Sequence, residues 1–209
     1  MNQNETGTGE VIAAEDGGRM RREAPKLRLM LDIETLGTTP RAVITEVAVV
    51  DIDGDHRVYF HAHLDIDAQI ALGRTIDGAT VRWWMSQDAA GPGLWDRLVM
   101  PPDFFVQLMA WCRELGGGGD NGPVEWWCNG ASFDFPLLTD LWAQLYGKEY
   151  ELWDFWRLMC FRTVARLQDP DRQLEPEFVG RRHSALDDAR HQAAWLRKIE
   201  WKREEVTRE

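Results

Sequence analysis

The chain predicts a single α/β domain in which a mixed β-sheet is flanked by helices. Three observations lead there. Leu27, Leu29, Leu31 and Ile33 alternate with Arg28, Met30, Asp32 and Glu34, the two-residue period of a strand. Leu137, Leu138, Leu141, Trp142 and Leu145 instead follow helical spacing. A length of 209 residues suits one well-cored domain rather than two.

In chain order, residues 1–25 lack periodicity and read as a disordered tail ahead of a domain over 26–205. Strands are expected at about 27–34, 42–52 and 56–65, with Asp53-Gly54 supplying a tight reversal between the second and third. Ala42 to Val50 is almost continuously apolar, and Glu46 inside it reads as structural or as lying at the edge of a site. A helix is expected from Thr80 and another from Pro102 to Leu115. Gly116 to Gly119 reads as a flexible loop and not a phosphate cradle, because no Lys-Ser/Thr follows it. A strand at 124–128 ends at Asn129-Gly130, a pair that favours turns with positive φ. Helices near 135–146, 153–167 and 184–204 complete the chain, the first of them stopped by Gly147. Strands joined by short turns and then alternating with helices are what indicate a mixed sheet.

Composition removes several classes. No apolar segment suits a secretory signal or a membrane span. The three cysteines, Cys112, Cys128 and Cys160, lack metal-ligand spacing and read as reduced thiols of a cytoplasmic protein. Eleven tryptophans exceed ordinary usage, so most must lie in the core or at an interface. Of Trp126 and Trp127, one is expected in the core and the other under a helix.

Three separated stretches carry chemistry. Asp32 and Glu34, two apart on a strand, project to the same face. Like charges so close are unfavourable without a cation between them, and oxygen ligands suit Mg²⁺ or Mn²⁺ rather than zinc. Taken alone, the pair equally fits a solvated face near a strand end. The second stretch, Asn129-Gly-Ala-Ser-Phe-Asp134-Phe-Pro136, sets Asp134 at a strand-to-helix junction. A helix-start acid favoured by the dipole explains Asp134 but not the Asn129-Gly130 upstream. The third, His183-Ser-Ala185-Leu-Asp-Asp188-Ala189, opens the last helix. There Ser184 and Asp187 match a capping box, and Leu186, Ala189, Ala193 and Leu196 form a buried stripe. The cap accounts for Asp187 but leaves Asp188 over. His183 falls just before it, on a hinge where a histidine can approach a reacting water as general base. By itself, a loop histidine is ordinarily just solvated.

Together these motifs resemble, in order and separation, those of the DEDDh branch of the 3′→5′ exonuclease superfamily: Asp-x-Glu, an Asn-Gly segment ending in Phe-Asp, and His-x-Ala-x-x-Asp-Ala. The resemblance spans Leu27 to about Trp201. It implies a ribonuclease-H-like fold, metal-ligating roles for Asp32, Glu34, Asp134 and Asp188, two divalent cations (Mg²⁺ or Mn²⁺), and a general base at His183. Leu36-Gly-Thr-Thr-Pro40, Ile76-Asp-Gly-Ala-Thr-Val-Arg-Trp-Trp84 and Arg162-Thr163 look like the subgroup of phage exonuclease A, exonuclease VIII and a mycobacterial exoribonuclease. Many relatives carry an acid two residues before that arginine; this chain has Cys160.

The implied reaction releases nucleoside 5′-monophosphates from single-stranded DNA or RNA 3′ ends. The backbone of Thr35, Leu36 and Gly37 is expected near the terminal nucleotide, because Gly37 has no side chain to hold it off. Trp84 and Phe133 are candidates to stack on bases, and Asn129 and Arg162 to line the substrate. A net charge of -11 argues against a processive duplex binder, yet suits an enzyme that acts on a few terminal nucleotides. Local positive charge remains at Arg162, Arg181 and Arg182, and in the tail at Arg19, Arg21, Arg22 and Lys26. An endonuclease or polynucleotidyl transferase of similar fold is disfavoured by the His183-to-Asp188 spacing. A catalytically inert nucleic-acid or protein-binding module is disfavoured because it typically loses one of the five residues. A zinc protein is disfavoured for want of a Cys/His cluster. The resemblance and the aromatic surplus also admit a homodimer.

Overall fold

The computed structural model describes residues 27–54, 58–87, 97–117, 123–148 and 151–208. The expected tail over 1–25, the end of the reversal at 55–57, and Gly118 and Gly119 of the expected loop lie outside the described residues. β1 (Leu27–Thr35) pairs antiparallel with β2 (Ile44–Asp51), and β2 antiparallel with β3 (Tyr59–Leu64). Next come α1 (Ile66–Ala71), α2 (Gly78–Met85), the short β4 (Leu98–Val99) and α3 (Pro101–Glu114). β5 (Val124–Cys128) and α4 (Asp134–Tyr146) follow. A 3₁₀ turn (Phe155–Arg157), β6 (Leu158–Cys160), α5 (Phe161–Gln168) and α6 (Ala185–Arg208) complete the chain. The strands form one mixed sheet in the order β4-β3-β2-β1-β5-β6, with β5 parallel to both β1 and β6. This is the expected architecture, a mixed sheet flanked by helices.

The alternation in β1 sets the two layers. Leu27, Leu29, Leu31 and Ile33 enter a core with Phe104, Phe105 and Leu108 of α3 and Leu137, Leu138 and Leu141 of α4. Met30 points the other way and packs with Ala48, Val50 and Trp127 against Phe161, Ala189, Ala193 and Leu196 of α5 and α6. β2 is covered on both faces, which is why its sequence is nearly all apolar. Trp126 and Trp127 divide between the layers: Trp126 packs on Trp153 (ring centroids 5.0 Å apart), and Trp127 joins the α6 side. Asp32 and Glu34 share the face of Met30 and therefore look toward α6.

Three expectations are corrected. The helix over 153–167 splits into the 3₁₀ turn, β6 and α5. A strand of three residues is too short to show a period, and it exists because Leu158, Met159 and Cys160 pair with Trp126, Trp127 and Cys128. α1 and β4 were not expected for the same reason of length. The helix expected from Thr80 begins at Gly78, where the Asp77 side chain accepts the backbone N–H groups of Ala79 and Thr80. No described helix is long and apolar enough to cross a membrane.

Candidate active site

Four acids from three elements converge at the C-terminal end of β1. Asp32 and Glu34 come from β1 itself, and the β1–β2 register slips just after Glu34, a local irregularity of the kind found beside active sites. Asp134 begins α4; the parallel pairing of β5 with β1 carries that junction to the side of Asp32. Asp188 lies in the first turn of α6. One ligand atom each from Glu34, His183 and Asp188 lies within 4.8 Å of the others. The sequence-predicted acids and histidine thus share one site.

The electrostatics show what such a cluster lacks. Burial, followed by the carboxylates of Asp134 and Glu34, pushes the Asp32 pKa well above its ordinary value, against a hydrogen bond from Gln192. Glu34 is raised from 4.5 to about 8 by burial and by Asp188, Glu46 and Asp134. Asp134 is raised from 3.8 to about 6 by burial, despite its own backbone N–H, the Cys128 thiol and Arg162. Asp188 is raised by burial, in opposition to the His183 backbone N–H. Carboxylates held this close, and raised despite Arg162, Arg181 and Arg182 nearby, fit the all-oxygen donor set of hard divalent cations.

The loop before α6 holds His183 in place. Its φ of 62° is left-handed, and its backbone N–H donates to Asp188 Oδ2 at 2.8 Å. The ring meets Trp83 edge-on at 4.8 Å between centroids. The capping box expected from Ser184 and Asp187 takes another form. Ser184 Oγ donates to Glu46 Oε1 at 3.4 Å, while Asp187 Oδ2 accepts the backbone N–H of Arg181 at 2.8 Å. Gly180, at φ 104°, lies so close that a Cβ there would meet the Asp187 carboxylate at 2.4 Å. Asp187→Ala is therefore expected to cost about 1 kcal/mol of stability, the usual worth of such a side-chain-to-backbone bond. It should lower activity far less than loss of Asp188. Urea unfolding with parallel rate assays measures both; a dead Asp187→Ala would reverse these roles.

The residues expected near the substrate divide. Trp84 Nε1 donates to the Thr35 carbonyl at 2.8 Å, tying α2 to the end of β1, and Leu36 is half-exposed beside it. Gly37 is buried, and a Cβ there would meet Ala42 Cβ at 3.1 Å, so its missing side chain also serves packing. Gly130 is absent from the positive-φ positions of the described residues, contrary to the turn expected there. Its need is space: a Cβ would lie 3.2 Å from Arg162 Nη2. Arg162 thereby reaches Asp134 and helps keep it ionised. Cys160 is held by Thr163 and the Ala131 backbone. Phe133 is half-buried and packs against the core beside Asp134. Asn129 lines a pocket of ≈ 390 Å³ between α5 and α6, with Arg162, Arg166, Arg172 and Arg182 around it and Asp188 at its edge.

Two residues beside the acids were missed. Gln192 Nε2 donates to Asp32 Oδ1 at 2.8 Å from within the core. It lies one helical turn beyond Asp188, so α6 periodicity carried the signal. Trp83, 41% exposed and against His183, is better placed than Trp84 to meet a substrate. Nothing local distinguishes the two.

A mixed sheet in this order, with acids from β1, α4 and α6 beside a loop histidine, defines a nuclease domain of the ribonuclease-H-like class. The fold is shared with the nuclease domain of 3′hExo, a DEDDh family member solved bound to rAMP (TM-score 0.58, 14% identity, covering 87% of this chain and 94% of that one). It is shared too with Pop2p of S. pombe in a Mg²⁺- and Mn²⁺-bound form (TM-score 0.56, 13% identity, 82% of each chain). Residues 27–200 match the 3′-5′ exoribonuclease Rv2179c-like domain, and the chain belongs to that family of exonucleases. A curated relative, the exodeoxyribonuclease of Enterobacteria phage T4, is 25% identical over 126 residues; the chain spans about half of its length (54%).

Proposed function

We propose that the protein is a metal-dependent 3′→5′ exonuclease that releases nucleoside 5′-monophosphates from single-stranded DNA or RNA. The observation that carries this is the meeting of Asp32, Glu34, Asp134 and Asp188 with His183 at one strand end. Those acids would hold two Mg²⁺ or Mn²⁺ ions, which when bound polarise the scissile phosphate and acidify the attacking water. His183, beside Glu34 and Asp188, accepts that water's proton. Gln192 fixes the rotamer of Asp32, and the Trp84–Thr35 bond fixes the floor on which the terminal nucleotide rests. Arg162 and Arg182 offer cations to the phosphate backbone in a chain whose net charge is -11. We place the protein in the cytoplasm on its free thiols, Cys112 and Cys128 being buried and reduced. Exposed Phe155, Trp156 and Trp201 supply apolar surface for a homodimer, which sedimentation would read directly.

The test uses matched single-stranded DNA and RNA labelled at the 5′ end. Mg²⁺ or Mn²⁺ should support a ladder shortened from the 3′ end, and EDTA should abolish it, while Ca²⁺ should not restore it. Internal cuts, or full activity in EDTA, would reject the proposal. The relative rates on the two strands decide the sugar preference.

A further inference from the structure

His61 and His63 lie two residues apart on β3 and share a face of the sheet. Glu46 of β2 stands directly across the antiparallel ladder from His63. One ligand atom from each of the three lies within 4.8 Å of the others, and His61 Nε2 is 2.8 Å from Glu46 Oε1. Glu46 is 3% exposed, His63 half-buried and His61 exposed, so the cluster has a closed floor and an open mouth.

We propose that His61, His63 and Glu46 form a second metal site, for a nitrogen-seeking divalent ion such as Zn²⁺, and that filling it slows the nuclease. Two imidazoles and one carboxylate are the donor set of open tetrahedral zinc sites, with bonds of about 2.0–2.2 Å that set ligand atoms about 3.3 Å apart. Side-chain rotations of roughly 1.5 Å close the present cluster to that spacing. Mg²⁺ prefers oxygen and an octahedral shell, so the two centres sort ions by donor type. Glu46 also receives Ser184 Oγ at 3.4 Å and the Ala185 backbone N–H at the head of α6. Drawing its carboxylate onto an ion releases Ser184, the neighbour of His183. The ion site itself stands or falls independently of the nuclease reading.

The test titrates the untagged full chain with Co²⁺ in excess Mg²⁺ and then displaces the Co²⁺ with Zn²⁺. One Co²⁺ per chain should give the intense visible bands of a four- or five-coordinate, nitrogen-ligated ion. His61→Gln and His63→Gln should each weaken binding about tenfold or more, and His183→Gln should leave it unchanged. His61→Gln keeps an amide that can still donate to Glu46, so its fold should survive and its basal rate should be kept. Bands that persist in both β3 variants but vanish in His183→Gln would move the ion to Glu34, His183 and Asp188 and overturn the proposal. Absence of binding would do the same. In the rate arm, Zn²⁺ that fills the site should slow the wild type and spare His61→Gln; equal inhibition of both overturns the coupling.

Discussion

Glu34→Gln is expected to abolish turnover yet to raise the melting temperature of the metal-free protein above pH 8. Both effects have one cause. In the folded chain Glu34 titrates at about 8 instead of 4.5, because burial and the neighbouring Asp188, Glu46 and Asp134 disfavour its charge. The folded state therefore holds a proton that the unfolded chain has already released. That contribution to stability is complete below pH 4.5 and is lost as pH rises through about 8. Asp32 and Asp134 are shifted the same way and add to the slope. In EDTA the wild-type melting temperature should fall across this window, and Glu34→Gln should flatten part of the fall. A divalent cation should raise the wild-type melting temperature more at pH 8 than at pH 5, since binding needs the carboxylates ionised. Thermal melts in EDTA and in Mn²⁺ across that range check all three. A metal-free wild type that gains stability toward pH 8 would mean that the carboxylates are not crowded as described.

His183→Ala should lower single-turnover rate by about 10²–10⁴, the span usual for a general base, with fold and metal binding kept. The residue precedes α6, so no helical hydrogen bond depends on its side chain. Its contact with Asp188 runs through the backbone N–H and survives the substitution. What the variant loses is the ring against Trp83 and the proton acceptor beside Glu34 and Asp188. Alanine is also less at ease than histidine at φ 62°, so His183→Asn is the control for strain, asparagine tolerating the left-handed region. Both variants should be slow while melting near the wild type in Mn²⁺. A wild-type rate in either would remove His183 from the chemistry.

Much of the site was legible before any coordinates. The Asp32–Glu34 pair sits on a strand whose alternation is plain, and that alternation alone places both carboxylates on one face. His183 and Asp188 fall just before and inside a helix whose apolar stripe, Leu186, Ala189, Ala193 and Leu196, is equally plain. Motif resemblance added Asp134 and the ribonuclease-H-like sheet. The flanks of the site were harder. Gly130 looked like a concession to a turn but makes room for Arg162, and Gly37, read as a close approach for substrate, also leaves room for Ala42. Asp187 looked like a cap and instead grips the loop behind it.

Local order thus determined the strands and helices long enough to show a period, and with them the acids and histidine borne at fixed offsets. Tertiary pairing decided the rest. β6 exists only as a partner for β5, Gln192 touches Asp32 across 160 positions of chain, and Glu46 finds His61 only because β2 lies beside β3. Side-chain periodicity reports what one segment buries. It carries no record of which distant segment will be laid against it, because that is settled by burial and hydrogen bonding summed over the whole core.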